Sequence, residues 1–178
     1  AFMRSEKGGS PAVFHLFLSH PHWDHIQGFP FFVPAYHPGQ VIHIYGGHAA
    51  VETAFVNQQA APSFPVPFQA LKADIRFHTL DPEQPHEIAG FTVRMLRQNH
   101  PGGSYGYSFI REGRKVVYST DTEHGEEAGN EDYPFLDFFR DADLLIFDAQ
   151  YSLADANGPK GTWGHSSNLL GVELAVRA

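Results

Sequence analysis

Three histidines and one aspartate fall within the six residues His20-Pro21-His22-Trp23-Asp24-His25, directly after the apolar run Val13–Leu18. No other stretch restricts the chain as tightly. Val13–Leu18 is too short for a buried helix and reads as a buried strand, so the polar cluster sits at a strand end. Packing that many imidazoles and a carboxylate together is costly unless something binds them. In extended backbone, His20 and His22 project to the same side and can converge on one ion. Asp24 and His25 lie past the bend and can turn toward a second. Imidazole and carboxylate suit zinc, with manganese or iron as substitutes. Composition points the same way: the 12 histidines equal the 12 lysines plus arginines, and cysteine is absent. That absence removes disulfides, thiolate ligands and cysteine nucleophiles together.

The remaining pattern is mixed. Val41–Tyr45, Ile75–Leu80, Phe91–Gln98, Tyr105–Arg111, Lys115–Thr120 and Asp143–Asp148 read as strands. Glu112-Gly113-Arg114 makes a short hairpin connection. His48–Ala61 has helical spacing and stops at Pro62. Ser166 or Ser167 can cap a final helix carrying Leu169, Leu170, Val172 and Val176. Gly28–Pro38 and the proline-rich stretch 62–68 read as irregular, and Ala1–Ser10 as a polar lead-in. At 178 residues the chain is expected to form a single domain. The net charge of −8 disfavours a partner bound through its nucleic-acid backbone. No apolar run approaches the roughly 18–20 residues of a membrane span, and no leader pattern is visible, so the expected location is the cytoplasm.

His20-x-His22-x-Asp24-His25 after an apolar strand resembles the signature of the metallo-β-lactamase superfamily. The resemblance implies an α/β fold, a four-layer αββα sandwich with two sheets face to face and helices outside, and one or two metal ions at the sheet edge. It asks for further ligands downstream. His100, in Gln98-Asn99-His100-Pro101-Gly102-Gly103, and Asp121, in Tyr118-Ser119-Thr120-Asp121-Thr122, match those requests at predicted strand ends. The implied ligand sets are His20, His22 and His100 for one ion, and Asp24, His25 and Asp121 for the other. The superfamily pattern also has strands ahead of the motif and a last histidine beyond the final helix. The expectation is therefore one domain over residues 1–178, truncated at both ends, with the second site one protein ligand short. The ligands' partner nitrogens are expected to meet carboxylates or carbonyls.

Asp148-Ala149-Gln150-Tyr151 and Gly164-His165-Ser166-Ser167 are similar to the late carboxylate and His-Ser-Thr segments of ribonuclease Z and related phosphodiesterases. That likeness implies that His165, steered by Asp148, donates a proton to the leaving oxygen, while Asp24 and Asp121 orient a metal-activated hydroxide. Two other roles stay open for His165: a helix-start residue beside a strand-end cap, or a metal ligand. The implied function is a metal-dependent hydrolase, a phosphodiesterase acting on a small or cyclic phosphodiester. Alternatives are a lactone or thioester hydrolase on the same metals, and a non-catalytic metal-binding remnant. A large nucleic acid is disfavoured, because no Lys/Arg cluster exists and Glu123, Glu126, Glu127, Glu131 and Asp132 form an acidic, solvated run. A homodimer is an open option. Among the other histidines, His15 and His43 read as core or sheet-face residues, His48 as near a helix start, and His37, His78, His86 and His124 as surface or loop residues.

Overall fold

The computed structural model describes residues 11–152, 154 and 163–178. The lead-in expected at Ala1–Ser10 lies outside the described residues. The chain divides into two compact units, Ala1–Leu80 and Asp81–Ala178.

The first unit is a three-stranded parallel sheet in the order β1-β2-β3, with β1 at Val13–Leu18, β2 at Val41–Gly46 and β3 at Asp74–Thr79. Parallel neighbours need crossover connections. The first crossover carries the short helix α1 (Trp23–Ile26) and two 3-10 turns, Phe29–Phe31 and Val33–Tyr36; the second carries α2 (Val51–Gln58). Strand alternation sorts the side chains. Leu18, Ile42 and Ile44, with Phe14, Leu16, Ile75 and Phe77 partly buried, pack against Ile26, Phe29, Val51 and Phe55. The irregular segment expected at 28–38 is thus ordered by its phenylalanines, with Phe29 against Phe55 at a ring separation of 4.8 Å.

The second unit is a five-stranded sheet in the order β4-β5-β6-β7-β8. Its strands are β4 (His86–Ile88), β5 (Phe91–Gln98), β6 (Ser104–Arg111), β7 (Arg114–Ser119) and β8 (Leu144–Phe147). All pairs are antiparallel except β7 with β8. The β6–β7 connection is tighter than expected: Arg111 pairs with Arg114, leaving Glu112 and Gly113, both at positive φ, as a two-residue turn. Helices α3 (Pro134–Phe139) and α4 (Asn168–Arg177) enclose a core of Val117, Tyr133, Phe135, Leu136, Phe139 and Leu174. Neither β4 nor α3 of this unit was evident from the sequence. β4 is only three residues long, and α3 is so aromatic (Pro-Phe-Leu-Asp-Phe-Phe) that packing, not periodicity, makes it helical. Ser167 caps α4 as expected, accepting from the Leu170 N–H at 3.3 Å.

Candidate metal centre

The end of β1 delivers His20 as a buried side chain, 1% exposed, and His22 as the residue preceding α1. Their facing nitrogens, His20 Nε2 and His22 Nδ1, are 2.8 Å apart, while the ring centres are 4.3 Å apart at 75°. The rings therefore meet at an angle, so both lone pairs bend toward a shared point. That is the arrangement two ligands of one ion require, with each nitrogen about 2.0–2.1 Å from the metal. The His25 ring lies 4.3 Å from that of His20, and His25 Nε2 is 3.3 Å from an Asp24 carboxylate oxygen. His20, His22 and His25 thus lie close together in the first unit, whereas the Asp24 side chain is largely exposed and reaches only His25, outside every group of side chains close enough to share an ion among the described residues. His20 Nδ1 meets the Ser19 hydroxyl at 3.1 Å, where a carboxylate or carbonyl was expected. A hydroxyl can both donate and accept, so it can still hold the ring with Nε2 facing outward.

A second imidazole pair in the same unit looks similar and is chemically different. On the sheet face opposite the core, His43 Nδ1 and His78 Nε2 are also 2.8 Å apart. Here, however, the ring centres are 5.0 Å apart and nearly coplanar in tilt, at 26°, so the nitrogens lie almost on the line joining the rings. This is a head-to-head N–H···N hydrogen bond with no room for an ion between them. His15 stacks on His43 at 5.1 Å and shares a 3.0 Å hydrogen bond with the Tyr45 hydroxyl. Burial first, then the neighbouring histidines, hold the His15 and His43 pKa values below the usual imidazole range. His15 and His43 are sheet-face residues as expected. His78 is one too, and its placement as a surface or loop residue is corrected: alternation in β3 puts it beside the His43 edge.

In the second unit, β5, β7 and β8 and the start of α4 bring residues far apart in sequence to one place. His100, Asp121 and His165 each offer a ligand atom within 4.8 Å of the others. His165 Nδ1 is 2.9 Å from an Asp148 carboxylate oxygen and 3.8 Å from one of Asp121. Asp148 is 5% exposed, and its carboxylate also accepts the Thr122 and Gln150 backbone N–H groups at 3.0 and 3.2 Å. These bonds fix the carboxylate, which in turn fixes the His165 tautomer and leaves Nε2 to point away. His100 Nδ1 donates to the Gly164 carbonyl at 2.8 Å, which fixes the ring's orientation. Gly164 is at φ +83°, and a Cβ there would stand 2.5 Å from His100 Nδ1. Its N–H donates to Glu123 at 3.2 Å, so Glu123 belongs to this framework while Glu126, Glu127, Glu131 and Asp132 are solvated. Nothing in the sequence marks Gly164 or Ser19 as partners of the ligands, because one uses its backbone and the other is an ordinary strand-end serine. An open cavity of about 550 Å³ lies beside His100, lined by Arg97, Gln98, Asn99, His100, Gly102 and Gly103.

His124 lies in a loop, one of the two placements expected for it, but not at the surface. It is buried, and its Nδ1 shares a 2.6 Å hydrogen bond with the Tyr133 hydroxyl. Phe135 meets its ring edge-on at 4.6 Å and Phe147 stacks on it at 5.2 Å. Burial in this aromatic box pushes its pKa down to about 4.

Residues 3–178 match the family described as "Beta-lactamase superfamily domain". The chain is 27% identical over 172 residues to the Bacillus subtilis protein named "Probable metallo-hydrolase YhfI", spanning 90% of this chain and 60% of that protein. It is 28% identical over 152 residues to the ribonuclease Z of Staphylococcus carnosus, spanning 81% of this chain and 46% of that enzyme. The crystal structure of YhfI, a metallo-β-lactamase fold protein, aligns with a TM-score of 0.64 at 23% identity over 92% of this chain and 60% of that one. Human tRNase Z, short form, aligns with a TM-score of 0.63 at 21% identity over 92% of this chain and 67% of that one. At these identities the structural likeness establishes the fold, which is the metallo-β-lactamase fold expected from the His20 motif. The chain spans 60% or less of the length of these two curated relatives. Among the described residues, no helix is long and apolar enough to cross a membrane.

Proposed function

The chain belongs to the beta-lactamase superfamily, and on that footing we propose that it carries the metal centre of a hydrolase acting on a small or cyclic phosphodiester. By the resemblance to the family, His20, His22 and His100 would hold one divalent ion and Asp24, His25 and Asp121 a second, zinc being among the ions that imidazole and carboxylate ligands suit. Bound there, such ions supply Lewis acidity and lower the pKa of a coordinated water to about 7. The protein's own groups do the rest. Ser19 and the Gly164 carbonyl orient the His20 and His100 rings, Asp24 and Asp121 supply the anionic ligands, and Asp24 orients the attacking water. Asp148 holds His165 as the general acid that protonates the departing alkoxide.

The observation that carries this reading is the 2.9 Å Asp148–His165 contact on an imidazole clustered with His100 and Asp121. A lactone or thioester leaves a centre held mainly by the metal and has less use for a second, carboxylate-braced imidazole. Arg97 beside His100 adds a cation suited to a phosphate oxygen, and the net charge of −8 favours a small substrate over a polynucleotide. The test is a panel of a cyclic nucleotide, an aryl phosphodiester, a lactone and a thioester, each assayed with zinc or manganese. Metal-dependent turnover of the phosphodiesters is expected. Turnover confined to the lactone or thioester would replace the phosphodiesterase reading, and metal uptake with no turnover of any substrate would reduce the chain to a non-catalytic metal-binding remnant.

A further inference from the structure

Asp121 sits in a backbone conformation that L-residues adopt only uncommonly. Its φ is +58°, the left-handed region that crowds the Cβ of any L-residue, and its carboxylate direction depends on that conformation. Three buried polar side chains account for it. Gln98 is 3% exposed, and Ser104 and Ser119 are fully buried. Gln98 Nε2 donates to the Thr120 carbonyl at 2.6 Å and to the Ser104 hydroxyl at 2.8 Å. Ser104 in turn donates to the Asp121 carbonyl at 2.7 Å. Ser119 donates to Gln98 Oε1 at 2.5 Å. The Thr120 carbonyl can only accept, so the amide orientation is fixed, and with it the direction of every other bond. Both carbonyls flanking the Asp121 N–Cα–C unit are therefore pinned by one relay that begins at Gln98. The neighbouring strand leaves space for it: a Cβ at Gly106 would stand 2.7 Å from Gln98 Oε1.

We propose that Gln98 is a positioning residue for Asp121, acting through Ser104 and the Thr120 carbonyl to hold the aspartate in its left-handed conformation and so to aim its carboxylate at the metal centre. This rests on the proposed role of Asp121 as a ligand, but the positional claim can be judged separately. Gln98 lies on β5, two residues before His100, so the same strand end delivers one ligand and braces another.

Two variants of the full chain act on the relay in opposite ways. Gln98→Met keeps the volume and removes every polar contact; Gly106→Ala keeps every polar group and pushes the amide aside. Crystal structures of both, prepared without metal, should show Asp121 leaving positive φ, with Ser104 no longer on its carbonyl. Zinc titration against a chromophoric chelator should show the ion that depends on Asp121 weakened by roughly 10–100-fold, the usual cost of losing a group that orients a ligand, with the other ion unchanged. A purely structural role would lower the melting temperature and leave the two affinities in their original ratio. Asp121 remaining at positive φ in both variants would overturn the inference whatever the metal does. If the wild-type chain took up no zinc, the functional reading would fall, while the Asp121 backbone would still decide the role of Gln98.

Discussion

The two donor sets arise in different ways. In the first unit, His20, His22 and His25 come from one strand end and the helical turn after it, and local backbone geometry alone brings them together. In the second, His100, Asp121, Asp148 and His165 come from four separate segments and meet only because β5, β7 and β8 end at the same edge of one sheet and α4 starts there. A set encoded by spacing tolerates changes in packing elsewhere. A set assembled by topology depends on every contact that aligns the strand ends, and its acid, ligands and bracing residues are coupled. The His43–His78 pair adds a warning from the first unit: an N···N distance of 2.8 Å is not a metal site when the rings face each other head-on.

The largest expected effect tests whether the assembled set does more than bind. His165→Ala should lower turnover of alkyl phosphodiesters by roughly 10²–10⁴-fold, the usual contribution of a general acid, with metal content unchanged. With a nitrophenolate leaving group, which departs without a proton, the loss should be far smaller. Equal losses on both substrates, or a lost ion, would make His165 a ligand and erase the functional difference between the two sets.

Acid should separate the sets next. His124 titrates near 4 when folded, against 6.5 when unfolded, so the unfolded chain binds the extra proton. The stabilisation from keeping this ring neutral is complete above pH 6.5 and is lost as pH falls from 6.5 to about 4. At about 1.4 kcal/mol per unit this amounts to roughly 3 kcal/mol. Site-resolved hydrogen exchange should show the second unit, including the segment from Asp121 to His124, opening over that range. His124→Phe should flatten the dependence, and an unchanged slope in that variant would mean that other groups carry it. In the first unit His15 and His43 are shifted in the same direction but are less enclosed, so its acid response should be weaker.

The smallest effect is at a cap. Ser167→Ala removes the acceptor for the Leu170 N–H and should cost about 1 kcal/mol, read by urea denaturation. Exchange protection around Ser19–His25 should not change. If it did, the local set would depend on the second unit's packing after all.

What could be read without a structure follows the same division. The sequence by itself determined the strand before His20, the projection of His20 and His22 to one side, and the helix cap at Ser167, because each depends only on residues a few positions apart. It also marked His100, Asp121, Asp148 and His165 as strand-end or helix-start polar residues, but only the resemblance to a known family grouped them. It misplaced His78 and left the burial of His124 open, since a lone histidine carries no record of whether its neighbours in space are water or aromatic rings. Only the tertiary structure decided that Asp148 braces His165, that a glycine carbonyl orients His100, and that a buried glutamine pins the backbone of Asp121. Those contacts join residues 17 to 64 positions apart or use groups every residue carries, and no local pattern specifies them. Sheet order and the close packing of strand ends do.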